Sequence, residues 1–250
     1  MPVYIVSHKE FNPPIAIPNS YQTIFVGPRS TELANKYFGL SDAFGDSICE
    51  LNDKFCELTA IYWIWKNVHT EYKGIVHYRR YFTDGPGAES AISEAQICES
   101  LTKCDYIVPE KYWLLNEVGK HYSSHHSSSD LDCVRESIAQ LFPAYIESFD
   151  MCMKYRYVYP YNMLIARTEK FDEYCSWLFP ILFETNSRID YSGRSDYQMR
   201  AIGFLSERLL AVFLSKSHPT ISEKKVVTTE KDIKRTVSMS LAKFLYGNKH

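Results

Sequence analysis

The chain has 250 residues, with 28 Lys and Arg against 30 Asp and Glu, and 45% of it is apolar. That length and balance describe a folded protein able to bury a core without disulfide or metal staples, and they exclude wholesale disorder. A formal charge of −2 leaves no broad basic face for duplex binding, so nucleic acid is not an expected partner.

The first elements are strands. Residues 3–6 form an apolar run ending in the polar tip Ser7-His8-Lys9, and residues 23–26 form a second run closed by Gly27-Pro28. From 53 to 68 the period becomes helical, with Phe55, Leu58, Ile61, Tyr62 and Trp65 on one face and Asn52 or Asp53 as cap. Residues 73–78 predict a third strand that runs into Arg79-Arg80. A helix follows near 92–101, then a strand at 106–108 stopped by Pro109. The Ser- and His-rich stretch 121–129 reads as a loop before a helix marked by Leu131, Val134, Ile138 and Leu141. Residues 161–166 predict a fifth strand, Thr168 caps the next helix, and the longest helix is expected from about 195 to 215.

Strands alternating with helices predict an α/β fold: a single Rossmann-like domain with a mostly parallel central sheet flanked by helices. The expected boundaries are 1–215 for the domain and 216–250 for a basic C-terminal extension. That extension carries eight Lys and Arg against three Asp and Glu, a solvated tail or a contact for anionic lipid headgroups. The seven cysteines form no CxxC pair and read as small buried hydrophobes of a reducing compartment. No signal-peptide pattern or 18-residue apolar stretch appears, so a cytoplasmic location is expected.

No GxGxxG, GxxxxGK[ST], HExxH or GxSxG is present. Dinucleotide oxidoreductases, P-loop NTPases, common zinc proteases and α/β hydrolases are therefore set aside. The segment that carries most chemistry is Gly74-Ile75-Val76-His77-Tyr78-Arg79-Arg80-Tyr81-Phe82. A buried strand ending in His77, Arg79 and Arg80 brings fixed positive charge to the sheet edge where open α/β folds bind ligands. Two guanidiniums can grip a diphosphate; the alternative is structural ion pairing with loop carboxylates.

Gly45-Asp46 offers turn amides and a carboxylate for a sugar or ribose hydroxyl. His121 and His125 would share a face if helical and could then hold a metal. As a loop, the same stretch would close over substrate with His125 or Asp130 on the acceptor. Asn162 leads its strand to the same sheet edge. Glu207, beside Arg208 on the last long helix, is either half of a structural pair or a general base. Asp130-Leu131-Asp132 has the spacing of a metal motif, although its place at a helix start suits the helix dipole. The aromatic fraction, 15% with 19 Tyr, suits sugar and nucleotide pockets as well as a core.

Gly45-Asp46-Ser47-Ile48, the run from Cys56 to Asn67, His77-Tyr78-Arg79-Arg80-Tyr81-Phe82, His125-His126 with Asp130-Leu131-Asp132, Tyr161-Asn162-Met163, the run from Tyr174 to Leu182, and Gly203-Phe204-Leu205-Ser206-Glu207-Arg208-Leu209-Leu210 occur in this order. Over about residues 3–215 they resemble the bacterial capsular and O-antigen glycosyltransferases filed as domain of unknown function 4422, or glycosyltransferase family 111. The resemblance implies a GT-A-like fold and transfer of a hexose, galactofuranose among them, from a UDP-linked donor to a glycan or lipid-linked glycan acceptor. It places His8, Lys9, Asp46, Glu57, His77, Arg79, Arg80, Asn162 and Arg208 on the donor and makes Asp130, His125 and Glu207 the catalytic candidates.

The mechanism expected is inverting, with the arginines in place of a metal; no metal ligand is assigned, and Mn2+ or Mg2+ stands as the alternative. Two rival readings use the same residues: a non-catalytic nucleotide- or glycan-binding module of a polysaccharide synthesis complex, and a phosphotransferase.

Overall fold

The structure, a computed structural model, describes residues 3–85, 87–229 and 233–247, the side chains of 233–237 excepted. Strands β1 (Val3–Ser7) and β2 (Tyr21–Phe25) open the chain, followed by α1 (Ser30–Tyr37) and the short β3 (Leu40–Ser41). Helices α2 (Asn52–Phe55) and α3 (Leu58–Asn67) lead to β4 (Tyr72–His77), β5 (Arg80–Thr83), α4 (Glu94–Leu101) and β6 (Tyr106–Pro109). Next come β7 (Tyr112–Trp113), α5 (Val118–Ser123), α6 (Ser129–Leu141), α7 (Ile146–Cys152), β8 (Tyr157–Val158) and β9 (Leu164–Arg167). The chain continues through α8 (Thr168–Arg188), α9 (Asp196–Met199), α10 (Ala201–Ser217), β10 (Ile221–Thr228) and α11 (Ile233–Tyr246).

These elements form two compact units that are interleaved along the sequence: residues 1–110, 162–175 and 219–230 in the first, and residues 111–161, 176–218 and 231–250 in the second. The first holds an eight-stranded sheet in the order β3-β2-β1-β4-β5-β10-β6-β9. An additional β4–β9 pairing closes β4, β5, β10, β6 and β9 into a ring. Every residue of β1, β4 and β6 is buried; β1 and β6 accordingly read as apolar runs, while β4 carries Ile75-Val76 between buried His77 and buried Lys73, whose charge is met by Asp172 at 2.6 Å. At Gly74, a Cβ would lie 2.9 Å from Ile165 and 3.1 Å from Val3, so only glycine fits where β4 is flanked by β1 and β9.

The sheet is mixed rather than mostly parallel. Pairings β1–β2, β1–β4, β2–β3 and β6–β10 are parallel; β4–β5, β5–β10, β4–β9 and β6–β9 are antiparallel. Counting strand–helix alternation overlooks β5, which returns from β4 through the two-residue turn Tyr78-Arg79. It also overlooks β10. That strand lies inside the segment expected to be an extension, yet it pairs with β5 on one side and β6 on the other. Residues 221–228 of that segment thus belong to the sheet.

In the second unit, α6, α7 and α10 pack together around Val134, Ile138, Phe149, Leu209 and Val212. A small hairpin, β7 with β8, contacts α11. The expected helix at 195–215 breaks at Arg200 into α9 and α10, and α8, at 21 residues, is longer than either. Ser195 caps α9 by accepting from the Gln198 amide. Of the expected loop 121–129, residues 121–123 form the end of α5 and Ser129 already opens α6. Among the described residues, no helix is long and apolar enough to cross a membrane.

Candidate active site

In the first unit, several of the candidate side chains gather where β1 and β4 end. Ser7 is buried, and its hydroxyl donates to the Lys9 carbonyl at 2.6 Å while accepting from the Lys9 amide at 3.2 Å. This local turn fixes the exposed pair His8 and Lys9 just beyond β1. The Tyr78 amide donates to the Val6 carbonyl, which sets Tyr78 beside them. Around its ring stand His8, edge-on with centroids 5.5 Å apart, Lys9 Nζ at 5.4 Å and Arg79 Cζ at 5.3 Å. Three cationic or protonatable groups thus surround one aromatic ring, a composition that suits an anion.

Arg79 occupies the hairpin turn, whereas Arg80 is a strand residue that pairs with His77 and Thr228. The two guanidiniums expected to act as one clamp belong to different elements. His77 is buried at the end of β4.

Asn162 reaches the same edge, for a reason opposite to the expected one. In a parallel strand the leading residue would lie at the far edge, but β9 runs antiparallel to β4 with Ile75 opposite Leu164. Continuing that register carries Asn162 to the level of His77. Its side-chain amide donates to Glu57 Oε1 at 2.8 Å.

Glu57 follows a strained residue. Cys56 has φ 52° and ψ −126°, a conformation costly for any side chain, and it breaks the helix expected from 53 to 68. The break is held by polar bonds: Asn52 Nδ2 donates to the Cys56 carbonyl at 2.8 Å, and the Thr59 hydroxyl donates to buried Asp42 at 2.6 Å. Burial pushes the Asp42 carboxyl up to about 6, against the opposing Thr59 hydrogen bond. A cleft of about 420 Å3 opens beyond the end of β2, lined by Gly27, Pro28, Ser30, Ala43, Asn52 and Asp53. Asp46, in contrast, is fastened through its backbone to Asn67 and through Oδ1 to the Tyr62 hydroxyl. Asn67 is the end of α3 opposite Glu57, about 15 Å along the helix axis.

In the second unit, Asp130 lies at the start of α6 with no exposed surface. Arg194 donates to both of its oxygens, at 2.6 and 3.0 Å, and the Tyr122 hydroxyl adds a third bond at 2.9 Å. Three donors on a carboxylate with no exposed surface favour a structural role for Asp130 over that of a base. Arg194 carried no sequence signal because its partner is 64 residues away.

His126 stacks on Phe204 with centroids 4.4 Å apart, its Nδ1 is 3.2 Å from Gln198, and burial lowers its affinity for a proton. His125 is 3.0 Å from the His121 carbonyl through Nδ1. The His121 and His125 rings are neighbours at 5.0 Å, but among the described residues no three His, Cys, Asp or Glu side chains gather as metal ligands.

Glu207 Oε1 accepts from the Tyr161 amide at 3.0 Å, and Oε2 is 3.3 Å from Arg208, leaving the side chain a quarter exposed. Arg208 itself is buried, donating to the Phe204 carbonyl at 2.6 Å with its guanidinium over Tyr122. Tyr161 and Asn162, at φ 79° and 51°, are consecutive left-handed residues. Such strain persists only where surrounding bonds impose it.

No curated protein sequence matches the chain. The apo structure of the bifunctional glycosyltransferase WbbM is similar in fold, with a TM-score of 0.76 at 22% identity; the match covers 91% of this chain and 45% of that one. The chain thus spans a little under half the length of that protein. The family model described as Domain of unknown function (DUF4422) matches residues 2–218, and the chain belongs to that family.

Proposed function

We propose that the protein is a glycosyltransferase that moves a hexose from a UDP-linked donor to a glycan acceptor, lipid-linked glycans included, in capsule or O-antigen synthesis. The observation that carries this reading is the grouping of His8, Lys9 and Arg79 around Tyr78 at the carboxyl ends of β1 and β4. The fold shared with WbbM supports it.

In the reaction, the acceptor oxygen forms a bond to the anomeric carbon as the bond to the donor diphosphate breaks, with inversion at that carbon. The acceptor proton passes to a base, and the bonding electrons leave with the diphosphate. Arg79 and Lys9 meet that growing charge with fixed positive charge, which lowers the barrier because they need no rearrangement. His8 contributes when protonated. Glu57, oriented by Asn162, is assigned to a hydroxyl of the donor. Glu207 is assigned as the base, because its carboxylate is held by a backbone amide yet keeps solvent access.

The test is thermal shift and donor turnover with UDP, GDP, CMP and their sugars. Stabilisation by UDP species of roughly 2.7 kcal/mol at a hundred times the dissociation constant is expected, with slow release of free sugar without acceptor. Stabilisation without any sugar release would assign a binding module, and release of phosphate or nucleoside monophosphate a phosphotransferase. No shift with any nucleotide would remove the donor site.

A further inference from the structure

We infer that the second unit carries a membrane-docking face, formed by the end of α11 with the β7–β8 hairpin, and that its occupant is an anionic lipid surface. Helix α11 turns Ala242 inward with no exposure, while Leu241, Phe244 and Leu245 are 48%, 82% and 43% exposed. Positions 241, 244 and 245 share one side of a helix, so the outward apolar row is continuous. A helix that buries one face in protein and offers Leu and Phe on the other matches one lying in a bilayer interface.

The surroundings decide which occupant this row fits. The Arg156 guanidinium lies 4.3 Å from the centre of the Tyr246 ring and also donates to the Leu115 carbonyl, which ties α11 to the loop after β7. Leu115 is itself 39% exposed. On the hairpin, Lys111 Nζ sits 4.8 Å from the Tyr157 ring, which stacks on Tyr155. The acidic Glu117 is paired with Lys120. Lys243 is exposed on α11. An apolar row alone would suit protein or lipid. Flanked by Tyr rings and the long cationic side chains of Lys111, Arg156 and Lys243, it suits anionic headgroups over acyl chains.

This inference does not depend on the transferase reading, and its test uses no nucleotide. The full chain is sedimented with vesicles of phosphatidylcholine alone or mixed with phosphatidylglycerol. Binding to the mixed vesicles only, weakening with salt, is expected. Phe244→Asp should reduce that binding at least about tenfold with an unchanged melting temperature, because the ring is already in water. Leu241→Ser provides a second variant should the first fail to fold. Failure to sediment with the mixed vesicles would overturn the proposal, as would binding that Phe244→Asp leaves intact. Self-association dispersed by Phe244→Asp, without vesicle binding, would also overturn it and identify a second copy as the occupant.

Discussion

Arg194 holds the carboxylate of Asp130 by two hydrogen bonds, 2.6 and 3.0 Å long, on a residue with no exposed surface. A base would need a free oxygen facing substrate, whereas this pair joins the start of α6 to the loop before α9. Removing one partner leaves the other charged and buried, which costs about 3–5 kcal/mol. Asp130→Ala should therefore lower the melting temperature by on the order of 10 °C. A variant that melts normally but turns over no donor would restore Asp130 to the catalytic list.

The Asn162 amide and its backbone make separate contributions that two substitutions can divide. Asn162→Gly keeps the left-handed conformation and loses the bond to Glu57. Asn162→Ala loses the bond and adds strain of roughly 1 kcal/mol. Both should reduce turnover equally, while only the alanine variant shows the additional fall in urea midpoint. Unequal turnover would mean that the backbone, rather than the amide, positions Glu57.

Legibility in the sequence followed burial and range. β1 and β6 were evident because strands buried on both faces are largely apolar, and β4 through its Ile75-Val76 core, although it also buries Lys73. β10 was hidden by its half-exposed alternation of Lys, Glu and Val, which composition reads as a charged tail. The tip His8-Lys9 and the turn at Arg79 were readable as polar ends of apolar runs. Local pattern could not supply strand direction, and direction is what brings Asn162 to the edge of β4. Nor could it show that Asp130 is occupied, since Arg194 approaches from a distant segment. The Cys56 break was invisible for another reason: the helical period continues across it, and only the Asn52 and Thr59 bonds mark the turn.

Asp42 should give stability a pH dependence of known sign. Burial raises its carboxyl from 3.8 to about 6, so the native state binds the proton more tightly than the unfolded chain. Its contribution is complete below about pH 4 and is lost as pH rises through about 6, amounting to at most roughly 3 kcal/mol. Asp42→Asn keeps an acceptor for the Thr59 hydroxyl and removes the titration. The difference in unfolding free energy between variant and parent should grow in the variant's favour from pH 4 to 7. A difference that is flat across that range would show that Asp42 titrates as an ordinary carboxyl.

Arg79 and Glu207 are assigned opposite halves of the reaction, one receiving charge and the other a proton, so their variants should fail differently. Arg79 lies in a two-residue hairpin turn, and Arg79→Ala should fold normally while lowering turnover about a hundredfold or more. Arg79→Lys should recover only part of this, since an ammonium keeps the charge but lacks the two-pronged geometry for a diphosphate. Glu207→Gln retains an oxygen to accept from the Tyr161 amide, so the fold and the UDP-induced thermal shift should persist. Its turnover should fall by about 10²–10⁴. If Glu207→Gln instead abolished the UDP shift, the residue would belong to donor binding, and the proton would have to go to His125.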